Sequence, residues 1–157
     1  MYRWLVFLHI LSAFAFFMAH GASAVMAFRL KQEKDLERIK AILDLSNAAL
    51  PVMYWSVMFL LLAGIMGHWF SMGWIWAALG LIVVMWFGMH YYAFRYYTPI
   101  RKAVGLPYRD GKEHPASETA SQAKIRAAIE ASNPMLLGGV TFALIAVILW
   151  LMMFKPF

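Results

Sequence analysis

Long apolar runs alternate with charged stretches along this chain, and the runs occupy residues 4–28, 50–70, 73–97 and 134–154. At ~1.5 Å per residue, each run is long enough as a helix to cross ~30 Å of hydrocarbon. Two further stretches, residues 31–48 and 117–133, place Leu36, Ile39 and Leu43, or Ile125 and Ile129, at helical spacing on a charged background. That pattern predicts amphipathic helices that extend the bundle or lie at the membrane surface. The expected fold is all-α, a four-helix transmembrane bundle forming one integral membrane domain over residues 1–157. No Gly or Pro interrupts residues 22–50, so the first helix is expected to run on to Pro51. Gly105-Leu106-Pro107 and Asp110-Gly111 break the later chain before a helix that starts near Ser117. Ser46-Asn47 and Ser132-Asn133 stand where they would cap the second and fourth segments.

The charges set the expected topology. Of the 157 residues 63% are apolar, and the formal net charge is +6. Twelve of the fourteen Lys and Arg lie in two regions, Arg29 to Lys40 and Arg95 to Arg126, and all eight acids lie between the same pairs of segments, Glu33 to Asp44 and Asp110 to Glu130. The connection Gly67 to Gly73 has no charged residue. By the positive-inside rule both charged regions are cytoplasmic and both termini lie on the outer side. The basic excess is therefore a topology signal, and nucleic acid is not an expected partner. Arg3, an apolar run and Ala22-Ser23-Ala24 imitate a signal peptide. The run is too long for a signal core, and a retained helix is expected.

Residues 38–47, RIKAILDLSN, match residues 124–133, KIRAAIEASN, at four identical and four conservatively replaced positions. Ala27-Phe28-Arg29 is echoed by Ala93-Phe94-Arg95. Two duplicated helical hairpins in one orientation are expected, the first joining segments one and two and the second segments three and four.

Four histidines fall in or beside the apolar segments: His9, His20, His68 and His90. An imidazole in hydrocarbon is costly unless the bundle uses it. His9 and His20 are eleven residues apart, about three turns, so they share a helix face with Ser12, Ala13, Phe16, Ala24 and Ala27. His20 and His90 are each roughly the seventeenth residue of their spans and are expected at one depth. His9 and His68 share the outer depth less closely. Two axial imidazole pairs from facing helices suit low-spin haem b, one haem at His20/His90 and a less secure second at His9/His68. Arg29 and Arg95 lie at the inner ends of the same helices, where they suit haem propionates. They also serve, without any cofactor, as snorkelling anchors. Trp86 and Phe87 precede His90 by a turn and suit packing on a macrocycle. His114 is expected to be solvent-exposed.

Copper is the rival. The chain has twelve Met, and His9, Met66, His68 and Met72 form a soft thioether–imidazole set at the outer surface, of the kind that favours Cu(I). Met is equally a flexible core filler. There is no cysteine, which excludes c-type haem attachment, iron–sulfur ligation and thiolate sites. The spans lack Asp and Glu, which argues against carboxylate proton relays and hard-cation sites.

The opening Trp4-Leu-Val-Phe-Leu-His9-Ile-Leu-Ser-Ala resembles the first helix of small bacterial membrane proteins of the CopD/HemJ-like group. The resemblance implies a helical protein of the bacterial inner membrane, with His9 in the place of the group's helix-one histidine. In HemJ-like members that position is associated with haem b, and CopD-like members are associated with copper uptake. The leading expectation is a membrane b-type cytochrome that exchanges electrons with the quinone pool and a redox partner, and, if an enzyme, a haem-dependent oxidoreductase component. The alternatives are a copper-handling membrane protein and a cofactor-free anchor subunit of a larger respiratory complex.

Overall fold

The computed structural model describes residues 2–67 and 71–156; His68 lies outside the described residues. Helix α1 spans Tyr2–Gln32, α2 Leu36–Met66 and α3 Gly73–Tyr92. After α3 a π-helical turn, Ala93–Tyr97, leads into α4, Thr98–Ala103. A two-stranded hairpin, β1 Tyr108–Arg109 with β2 Glu113–His114, precedes α5, Gln122–Ala131, and α6, Pro134–Phe154. Four stretches, Tyr2–Gln32, Leu36–Met66, Gly73–Ala103 and Gln122–Phe154, are long and apolar enough to cross a membrane. The chain is a multi-pass helical membrane protein, with an expanse of outward apolar side chains such as Met18, Val84 and Phe142 that only lipid or protein can cover.

The long first helix expected up to Pro51 is instead broken at residues 33–35. Asp35 caps α2 by accepting the Arg38 N–H at 2.9 Å, and the Glu33 carboxylate accepts the N–H groups of Lys34 and Asp35. Those two backbone donors hold the Glu33 carboxyl below the usual carboxylate range. Two polar side chains, Glu33 and Asp35, thus satisfy backbone donors at the break and allow a new helix to start there. Pro51 is carried inside α2 without ending it. Ser46-Asn47 is therefore mid-helix and caps nothing. Asn133 does cap α6, accepting the Leu136 N–H at 3.1 Å. The second amphipathic helix starts at Gln122 and not near Ser117. Ser117, Thr119 and Ala120 are used instead to donate hydrogen bonds to the carbonyls of Lys102, Val104 and Ala103. The π turn sits just before Pro99, whose ring excludes the carbonyl four residues back and forces the wider turn.

Packing agrees with the expected hairpins. Helix α1 lies along α2, α3 leans on α6, and α1 also touches α6. Phe16, Ala19, Met53 and Met85 form the mid-bundle core, and Trp74, Ile75, Ala78, Ile148 and Leu151 close the end opposite the charged loops, termed the uncharged end for its 67–73 connection although Arg3 and Lys155 also lie there.

The charged end has its own core, made of Leu30, Ile39, Leu43, Ile100, Val104, Ile125 and Ile129. Matched positions of the two repeats, Ile39 with Ile125 and Leu43 with Ile129, all enter it. The polar contacts are exchanged between the halves. Lys31, in the last turn of α1, donates to the Glu130 carbonyl at 2.9 Å. Arg101, after α3, donates to the Leu43 carbonyl and to the Asp44 carboxylate at 3.0 Å. Arg126 adds bonds to the carbonyls of Lys31 and Glu33.

Candidate functional site

Polar side chains inside the spans form a few separate contacts, and each fixes a helix register. Ser23 bonds Ser46 at 3.0 Å across α1 and α2. His9, fourteen residues earlier on α1, has the Leu60 carbonyl within hydrogen-bond reach, fourteen residues later on α2. Both contacts follow from one antiparallel register. His20 Nε2 lies 3.3 Å from Thr141 Oγ1 on α6. Counting eleven residues outward on each helix brings Met152 level with His9.

Hydrogen-bond accounting assigns the His20 tautomer. The Thr141 hydroxyl has one proton, and its bond to the Leu137 carbonyl at 2.8 Å uses it. The hydroxyl oxygen then accepts from His20, so Nε2 carries the ring proton. The His20 ring also stacks on Phe16, with centroids 5.9 Å apart and planes 2° apart. Its Nδ1 is buried without a hydrogen-bond partner.

His90 has other neighbours. Its Nδ1 is 3.0 Å from the Trp86 carbonyl and its Nε2 is 3.3 Å from the Tyr54 hydroxyl on α2. A carbonyl only accepts, so Nδ1 bears the proton and Nε2 the lone pair that Tyr54 donates to. His90 is exposed, unlike His20. In the α1–α2 register the level of His20 falls near Ala49, so Tyr54 is five residues, or about 7 Å, farther toward the uncharged end. The two expected axial ligands thus meet different helices. The layer between them is filled by Phe16, Met53, Met85 and Met89. Arg29 and Arg95 are both exposed, Arg95 within the π turn.

A cavity of about 60 Å³ lies among all four spans, lined by His9, Ala13, Phe16, Leu60, Met85 and Met152 with other apolar side chains. Among the described residues His9 is the one ionisable group lining it. Sites that hold drug-sized ligands occupy about 300–1,000 Å³. As packed, this one has room for an ion and not for a macrocycle. Met85 is buried in one cluster with Met53, against which Met89 packs. From the uncharged end inward, the donors are exposed Met66 and Met72, then His9 with Met152 and Met85, then Met53 and Met89, then His20. Among the described residues no three His, Cys, Asp or Glu side chains come together. His114, expected in solvent, is half-exposed on β2, bonded to Asp110 at 2.6 Å and stacked on Tyr108.

Sequence reasoning picked out His9, His20 and His90 and missed Tyr54, Thr141, Met53, Met85 and Met152. Thr141 could have been found as a lone hydroxyl well inside an apolar span. The methionines could not be separated from core filler without knowing which faces meet. Comparison of the chain with protein-family models, curated proteins and solved structures gives no match.

Proposed function

We propose that this chain is a copper(I)-handling membrane protein whose bundle interior offers the ion a ladder of soft donors. One observation carries the proposal: among the described residues, the side-chain donors of the cavity wall and the adjoining cluster are one imidazole and several thioethers, with no carboxylate among them. Thioether and imidazole ligands favour Cu(I) over hard divalent cations. Exposed Met66 and Met72 receive the ion, and His9 with Met152 takes it into the cavity, with the Leu60 carbonyl orienting the ring as an outer-shell acceptor does at metal sites. Met85, in the cavity wall, passes the ion to Met53 and Met89, the next station. With the charged end in the cytoplasm, passage is inward.

The test is anaerobic Cu(I) binding to purified protein in detergent against a chromophoric Cu(I) chelator. Wild type should retain at least one Cu(I) per chain. Met53→Leu/Met85→Leu/Met89→Leu, which nearly conserves volume, and His9→Ala should each weaken retention at least tenfold with helical content unchanged. Equal retention in the variants, or none in wild type, would falsify the ladder.

Haem b is the second reading, favoured by the His90 tautomer, which presents a lone pair at Nε2 while Nδ1–H is held by a backbone carbonyl. It would be held by His20 and His90, with propionates at Arg29 and Arg95, and requires the methionine layer to move aside. A Soret band in the purified protein, lost in His20→Ala/His90→Ala, would establish it in place of copper.

A further inference from the structure

His90 is the eighteenth of the 31 residues in its membrane-spanning stretch, yet its side chain faces outward, away from the bundle core. Polar side chains at such depths almost always face the bundle interior, so an outward imidazole calls for an occupant on the lipid side. The surroundings define what that occupant must be. Trp86 stacks on the His90 ring at 4.7 Å between centroids, and Tyr54 lies 4.9 Å from Trp86. Tyr54 and Trp86 are 40% and 38% exposed, so the three rings form an open aromatic ledge between α2 and α3. Phe87 and Tyr91 stand out on the same helix.

The hydrogen bonds on this ledge run one way. Tyr54 donates to His90 Nε2, and His90 Nδ1 donates to the Trp86 carbonyl. The phenol proton is thereby committed, while the phenol oxygen keeps lone pairs that accept. A ligand that brings its own O–H therefore extends the chain, each bond polarising the next. One with only carbonyl oxygens must break the Tyr54–His90 bond first. A ligand reaching this depth from the hydrocarbon must itself be lipid-soluble, and a flat ring gains by stacking on Trp86.

We propose that Tyr54, Trp86 and His90 form a site for the headgroup of a membrane quinol, which donates its hydroxyl to Tyr54 and prefers this ledge over the corresponding quinone. The proposal concerns binding, and no electron is moved in it. It is independent of the copper ladder, which uses other side chains.

The full chain in phosphatidylcholine nanodiscs would be titrated with a short-tailed benzoquinol under anaerobic conditions, and separately with its oxidised benzoquinone, correcting for partition into empty discs. Wild type should bind the quinol at least tenfold more tightly than the quinone. Tyr54→Phe/His90→Phe removes the phenol oxygen together with the imidazole lone pair that losing the phenol alone would uncover; it should abolish that preference while leaving helical content and Cu(I) retention at wild-type levels. Trp86→Leu should weaken both ligands. Equal affinities in wild type, or a preference that survives Tyr54→Phe/His90→Phe, would overturn the site. So would a Tyr91→Cys variant that cross-links efficiently to a second copy whether or not quinol is present, since the ledge would then be a protein interface.

Discussion

Thr141 determines what His20 can do. Its hydroxyl proton is directed to its own helix, so the imidazole must donate Nε2–H, and that nitrogen is not available to a metal while the contact holds. The same contact ties α1 to α6. Hydrogen bonds between membrane helices contribute about 0.6 kcal/mol on average and at most about 1.7. Thr141→Val should therefore destabilise the bundle by roughly that amount, and Thr141→Ser should restore it, as read by denaturant titration in detergent. A Val variant as stable as wild type would mean that the contact holds nothing. The histidines were legible in the sequence because a polar ring in an apolar run stands out. Their partners were not. His20 and His90 look alike by position along their spans, and only the helix pairing gives one Thr141 and the other Tyr54.

At the scale of elements, identical dipeptides have different fates. Ser132-Asn133 is followed by Pro134, which starts α6 at its first turn and leaves Asn133 free to cap it. Ser46-Asn47 is followed by Ala48, and Ser46 bonds Ser23 across the hairpin, so the helix runs through. The pattern of apolar runs placed all four spans, and it placed α6 to the residue. The turn at residues 33–35 was hidden because no Gly or Pro marks it; side-chain capping by Glu33 and Asp35 does that work. Glycine carries a sharper constraint after α4. Gly105 has φ +81, and a Cβ there would lie 2.7 Å from the Ser117 carbonyl oxygen. Gly111 has φ +91 with nothing within 4 Å. Gly111→Ala should cost only the left-handed backbone penalty, about 1–2 kcal/mol, whereas Gly105→Ala must also displace the segment that covers the end of α4. Limited proteolysis of residues 105–121 should cut Gly105→Ala faster than Gly111→Ala. The reverse order would refute this account.

Seen whole, the molecule packs differently between the spans and at the charged end. The mid-bundle core between the spans adjoins a small cavity and includes buried Met53 and Met85. The one at the charged end is tightly packed, with Ile100, Val104 and Ile129 at 0% exposure. Ile129→Ala should cost about 2–5 kcal/mol and Ile129→Val about 0.5–1.5, measured by thermal unfolding in detergent. Similar small losses for both would show that this core does not hold the hairpins together. The repeat in the sequence anticipated which positions would meet, since the matched isoleucine and leucine of each copy share one core. The exchange of Lys31 and Arg101 between halves could not be read from spacing, because it depends on how the hairpins dock. That docking also orders events during synthesis. Ile125 follows Ile39 by 86 positions, roughly 4–17 s of translation at ~5–20 residues per second. Through that interval Leu30, Ile39 and Leu43 stand uncovered at the membrane surface, so a nascent chain stalled after its first hairpin displays an adhesive patch that the finished protein never shows.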